Sequence, residues 1–127
     1  MDNFIPIKLN AAIGGYFGPS CRIKWDGEGL LYLYNPSAHA GEPGTEKTLI
    51  DVNESDWENF RAILDKIRVW DWEERYENPE ILDGTSWGLE ADYPDRSIVS
   101  TGSNSTPKNF GRFLEAVSVL VKGNTFA

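Results

Sequence analysis

The chain has 127 residues, with 12 Lys and Arg against 20 Asp and Glu, a formal charge of −8. This length suits one domain over residues 1–127, and 40% apolar with 13% aromatic residues supplies a core and excludes disorder or a collagen-like repeat. Cys21 is the only cysteine and His39 the only histidine, which rules out a disulfide framework or a Cys/His zinc site within one chain.

At the N-terminus Ile5, Ile7 and Leu9 alternate, but Pro6 cannot donate to a ladder, so the pattern predicts an edge strand. The stretch carries no basic end followed by an apolar run, which fits a cytoplasmic location, and no segment approaches the ~18 apolar residues that cross a bilayer. Gly14, Gly15, Gly18 and Pro19 read as a flexible connection. Cys21, Ile23 and Trp25 then alternate up to Asp26-Gly27, and Leu30 to Tyr34 run back as a hairpin. Residues 35–45 are loop by composition, with a short strand near Thr48 to Val52.

Ser55 and Glu58 have the spacing of a capping box ahead of an apolar stripe, Trp57, Phe60, Leu64 and Ile67, which predicts the first helix. After Asp83-Gly84, alternation at Trp87, Leu89, Ala91 and Tyr93, the turn Pro94-Asp95-Arg96 and the run Ile98 to Ser100 predict a second hairpin. Thr106 as cap and Pro107 as first residue open a second helix with the stripe Phe110, Phe113, Leu114, Val117, Leu120 and Val121, ended by Gly123. The expected fold is therefore α+β. An antiparallel sheet of four to six strands in ββα-ββα order carries both helices on one face and leaves the other partly open. Displacing the sequence by 50 superposes Asn59-Phe60 on Asn109-Phe110, and displacing it by 57 superposes Asp26-Gly27 on Asp83-Gly84 and Leu30 on Trp87, so the fold has candidate repeat halves at about 20–70 and 80–122.

The charge is uneven. Between Asp51 and Asp83 eleven acids face four bases, so this quarter of the chain carries seven of the eight net negative charges. Such a concentration disfavours direct contact with nucleic acid and favours a protein partner of basic character. Trp70, Trp72, Tyr76 and Trp87 lie in or beside it; two of these four aromatics are expected in the core, and any that stays outside beside Arg75 is the kind of anchor that dominates interfaces. Trp70, Asp71, Trp72, Glu73, Glu74, Arg75, Tyr76, Asp83 and Trp87 are accordingly the candidate partner-binding residues, with Asp71 and Arg75 as local ion-pair partners.

Residues 70–117 resemble a widespread group of small, mostly uncharacterised bacterial proteins. Their pattern is Trp-x-Trp with a following Arg-Tyr, then Asp-Gly-Thr-Ser-Trp, then Gly-Ser-Asn and a proline-led helix rich in Phe. Here these are Trp70, Trp72, Arg75, Tyr76, Asp83 to Trp87, Gly102 to Asn104 and Pro107 to Phe113, and Thr106 stands where relatives tend to have an aromatic. The resemblance implies a folded stand-alone domain and brings no activity with it.

No catalytic pattern stands out. A nucleophilic Ser86 needs a base within hydrogen-bond reach, and the sole histidine, His39, lies in the loosest expected loop. The acids at Asp71, Glu73 and Glu74 lack the central glycine of a calcium loop, so no metal or cofactor is implied. Asn104 leads into a helix start, where a turn or a polar contact would employ it. The expected function is a non-catalytic protein-interaction domain. The alternatives are an inhibitor that mimics nucleic-acid charge and a small enzyme that uses Asp71, Glu74 or Asp83 as acid and base.

Overall fold

In the computed structural model the described residues are 4–15, 19–37, 43–78, 80 and 84–127. Seven strands form one sheet: β1 (Lys8–Gly15), β2 (Ser20–Trp25), β3 (Leu30–Asn35), β4 (Glu46–Ile50), β5 (Arg75–Glu77), β6 (Thr85–Asp92) and β7 (Ser97–Ser103). Helix α1 (Glu54–Lys66) follows β4, a 3-10 turn (Val69–Asp71) precedes β5, and α2 (Phe110–Leu120) follows β7. The order across the sheet is β4-β3-β2-β1-β6-β7-β5, antiparallel except for the last pair. The fold is thus α+β as expected, with more strands than expected and four of them ahead of the first helix.

The N-terminal strand corrects the edge assignment. The β1 ladder begins at Lys8, beyond Pro6, and pairs with β2 on one side and β6 on the other, which makes it central. Gly14 and Gly15 belong to it rather than to a connection. Pro6 is buried before the ladder, and its carbonyl accepts a hydrogen bond from Trp25 Nε1 at 2.8 Å.

Alternation then decides the layers. Leu9, Ala11 and Ile13 of β1, Cys21 and Ile23 of β2, and Leu89 and Ala91 of β6 turn to one face. There they join Trp57, Phe60 and Leu64 of α1 and Phe113, Val117 and Leu120 of α2 in one continuous core. Both amphipathic helices therefore cover the same face, as sheets with one solvated side require.

Both hairpins stand where expected, β2-β3 and β6-β7. At the first, the Asp26 carboxylate accepts from the backbone N–H of Glu28 and Gly29, which holds it below the usual carboxylate range. Strand β4 lies two residues earlier than expected. The helix starts also move. Asn53 and Asp56 form the capping box of α1, each side chain accepting from the other's backbone N–H at 2.9 Å, so the box lies two residues ahead of Ser55 and Glu58. In α2 the first helical residue is Phe110, because Pro107 is drawn into the protein and Asn109 reverses the chain at φ 67°. The helix ends in a Schellman motif with Lys122 at φ 60° as the left-handed residue, and Gly123 follows it. Lys122 Nζ reaches Asp56 at 2.6 Å, tying the end of α2 to the start of α1. That ammonium, aided by the Asn53 N–H, lowers the Asp56 pKa.

Candidate functional site

The expected binding segment is divided by the turn that follows α1. Arg68 adopts φ 56°, the chain makes one 3-10 turn, and the Trp72 N–H donates to the Val69 carbonyl at 3.0 Å. This turn sends Val69 and Trp72 into the core and leaves Trp70 half-buried. Trp72 sits edge-on to Trp87 (5.8 Å between ring centroids) and Phe113 (5.6 Å), and Trp87 packs on Phe110 at 4.7 Å. Trp72 and Trp87 are thus the two core aromatics and present no surface to a partner, a correction to their place among the binding residues. Tyr76 is half-buried against Trp87, its hydroxyl accepting from the Glu73 N–H. Asp71, Glu73, Glu74 and Arg75 are exposed, but Asp71 pairs with Arg68 and Arg75 with Glu77, not with each other. Asp83 and His39 lie outside the described residues.

Gly84, Trp87, Gly102 and Asn104 pack against one another. The Asn104 side chain occupies the space that a Cβ on Gly84 would take, and Asn104, at φ 59°, donates its N–H to Thr85 O at 2.8 Å. Trp87 Nε1 donates to Ser105 O at 2.9 Å across Gly102, where any Cβ would collide with both groups. Asn104 therefore closes a loop.

Trp70 is held by a charged cluster the sequence did not suggest. Arg61 is only 9% exposed; its two terminal nitrogens grip the Asp95 carboxylate (3.0 and 2.8 Å) and Nε grips Asp65 (2.9 Å). Its guanidinium lies 4.7 Å from the Tyr93 ring and 5.1 Å from Trp70, while Arg96 lies 5.5 Å from Trp70 on its own account. Trp70 Nε1 donates to Asp65 at 2.8 Å. The hydrogen bonds to Asp95 hold Arg61 charged in spite of burial and depress the Asp95 pKa, and burial raises that of Tyr93. One signal pointed here: Arg61 interrupts the apolar stripe of α1, four residues after Trp57 and four before Asp65.

The acidic segment is partly neutralised, since Asp56, Asp65, Asp71 and Glu77 are all in ion pairs. Asp71, Glu73 and Glu74 line none of three concave regions found among the described residues. Nor do the described residues bring three His, Cys, Asp or Glu side chains together as a metal site would.

A concavity of about 650 Å³ lies instead on the uncovered face of the sheet. Arg22, Ala12, Gly88 and Thr101 follow one another across β2, β1, β6 and β7, a row set by direct cross-strand pairing. The short side chains of β1 and β6 make the floor of a trough along the strands. Arg22, whose Nη1 donates to Asn10 Oδ1 at 2.9 Å, stands on the β2 flank, and Val99, Thr101 and Ser103 form the β7 flank. Ser86 is exposed at one end. At the other, Glu90 is paired with Lys8 at 3.0 Å.

Gly88 is the informative residue. A glycine inside a strand costs roughly 0.5–1 kcal/mol relative to alanine. Gly102, Gly84 and Gly14 each leave room for a neighbouring group, Trp87, Asn104 and Ser20 respectively. At Gly88 a Cβ would meet nothing closer than Thr101 Cγ2 at 3.8 Å, its φ is not positive, and the pairing runs through it with no bulge. Nothing inside the described protein requires it. Strand glycines of that kind mark places where another backbone or a ligand comes close. The sequence signal for it was a lone glycine within the alternation of Trp87 to Tyr93.

No family model matches the chain, and no curated protein matches it.

Proposed function

We propose that this chain is a non-catalytic protein-interaction domain whose partner seats on the uncovered face of the sheet, with its backbone over Ala12 and Gly88. The observation that carries the reading is Gly88, a destabilising residue in a central strand that keeps the trough floor low without serving any neighbour among the described residues. Around it lie side chains suited to hold a polypeptide: Asn10 and Arg22 on one flank, Thr101 and Ser103 on the other. The aromatic anchors expected on the acidic segment lie in the core or within the Arg61 cluster, so that segment retains steering charge without the contacts that usually dominate interfaces.

The test compares three immobilised variants for recovery of a partner and for the oligomer formed with it. Wild type and Gly111→Ala, altered on the opposite layer, should recover the partner equally, and Gly88→Leu, which fills the floor, should not, while its circular dichroism and melting remain native-like. Equal recovery by Gly88→Leu overturns the reading. A second reading keeps the acidic surface as the contact, because Glu73 and Glu74 are exposed and form no ion pair with the described residues. Loss on a Glu73→Lys/Glu74→Lys variant, with Gly88→Leu unaffected, would move the site there.

The repeat halves belong to the same proposal. Strand directions fit a two-fold axis normal to the sheet between β1 and β2, which relates β3 to β6 and β4 to β7, with a helix after each pair. The displacement by 57 likewise superposes β3 on β6, so the corresponding hairpins are β3-β4 and β6-β7, and β5 has no counterpart.

A further inference from the structure

The protein as a whole is acidic, but its uncovered sheet face is not. The residues pointing there from the strands include five cations, Lys8, Arg22, Lys24, Lys47 and Arg75, against three acids, Glu77, Glu90 and Asp92, whereas the whole chain carries 12 against 20. Two of the five are neutralised in place, Lys8 by Glu90 and Arg75 by Glu77. The other three stand together on the β2 side of the trough. Arg22 and Lys24 are two residues apart on β2, and Lys47 lies across Leu33 from Arg22. Among the described residues none of these three forms an ion pair with an acid. The β7 flank carries no charge: Val99, Thr101 and Ser103.

This asymmetry selects an occupant. An extended segment lying flat along a sheet sends alternate side chains to opposite sides, with same-side residues about 6.8 Å apart, the spacing of Arg22 and Lys24 along their strand. Resting on the proposed docking face, we infer that the partner contributes an extended segment with acidic residues at alternate positions. Its carboxylates meet Arg22 and Lys24, and its intervening small or apolar side chains meet Val99 and Thr101. Arg22 donates only one of its nitrogens to Asn10, so its remaining N–H groups face a carboxylate in the planar geometry that favours such pairs. A second copy of this chain is the poorer occupant, since face-to-face contact would oppose like charges. Nucleic acid is also the poorer occupant, since its phosphates follow one another along the backbone with no alternating small or apolar side chain to place against Val99 and Thr101.

The test is fluorescence anisotropy with the full chain and a fluorescein-labelled dodecapeptide of three Glu-Val-Glu-Ser repeats. Binding should weaken with salt, fall at least tenfold in the Arg22→Glu/Lys24→Glu variant and in the milder Lys24→Gln to a lesser degree, and stay unchanged in Lys108→Glu. A peptide with lysine in place of glutamate should bind at least tenfold more weakly, and a dodecamer of deoxythymidine should not compete. Absence of binding by the acidic peptide, indifference to the charge reversals, or binding of the oligonucleotide in its place each overturns the inference. If the acidic peptide fails but Gly88→Leu still abolishes partner recovery, the docking face stands and its charge preference falls. If Gly88→Leu changes neither assay, both fall.

Discussion

The two faces of the sheet are built from the same seven strands and are governed by different rules. On the helix side each position is constrained by a neighbour: Trp72 packs edge-on to Trp87 and Phe113, Phe110 packs at a tilt on Trp87, and Gly102 exists because Trp87 and Ser105 crowd it. On the other side Ala12 and Gly88 have space above them and Val99 is 55% exposed. Internal packing thus explains the composition of the first face and leaves that of the second unexplained, and unexplained small residues in a central strand point to contacts outside the chain.

The largest test of this contrast is truncation. Trp72→Ala should lower unfolding free energy by about 3–5 kcal/mol in urea denaturation, because it opens a cavity beside the rings of Trp87, Phe110 and Phe113, whereas Val99→Ala should stay within about 0.5 kcal/mol as surface changes do. Comparable losses at the two positions would mean the uncovered face is as tightly constrained as the core. Next comes one substitution made on each side. Gly102→Ala forces Trp87 or the Ser105 carbonyl to move and should cost about 1–3 kcal/mol, while Gly88→Ala should raise stability by about 0.5–1 kcal/mol. A destabilised Gly88→Ala would show that the fold itself needs that glycine and would remove the main support for the docking face.

The smallest effect concerns the link between the helices. Asp56 titrates lower in the folded chain than in the unfolded one because Lys122 and the Asn53 N–H favour its charged form. The stabilisation is therefore present above the unfolded pKa of ~3.9 and is lost as pH falls through the lower folded value. Asp56→Asn should be less stable than wild type by up to about 1 kcal/mol at pH 7, and melting curves recorded at successively lower pH should converge below about pH 4. Persistence of the full gap at pH 2 would assign the effect to helix capping geometry and not to charge.

Elements with strong local signals were legible in advance. The β2-β3 and β6-β7 hairpins followed from alternation interrupted by turn residues, and α1 from the stripe Trp57, Phe60, Leu64 and Ile67. Strand β1 was misplaced because Ala11, Ala12, Gly14 and Gly15 have little strand preference of their own; pairing on both sides imposes the conformation. Strand β5 was missed because it is three residues held by a neighbour: the Thr101 N–H donates to Glu74 O, and Asn78 N–H to Ser103 O. The exposure of the candidate residues was legible only in part, for the same reason. Exposure of Asp71, Glu73, Glu74 and Arg75 follows from their polarity, but the inward turn of Trp72 depends on the left-handed Arg68, and the hold on Trp70 depends on Asp95 and Tyr93, more than twenty residues further along.

The amino-acid order alone settled the fold class, the two covering helices and the concentration of acid between Asp51 and Asp83, because periodicity and charge are local properties that survive any arrangement of the strands. Which of Trp70 and Trp72 reaches water was decided by the turn at Arg68 and the Arg61 cluster, and that Ala12, Arg22, Gly88 and Thr101 share one trough was decided by the sheet's register. Those four positions span ninety residues of chain, and only the cooperative pairing of β2, β1, β6 and β7 over a buried aromatic layer brings them side by side.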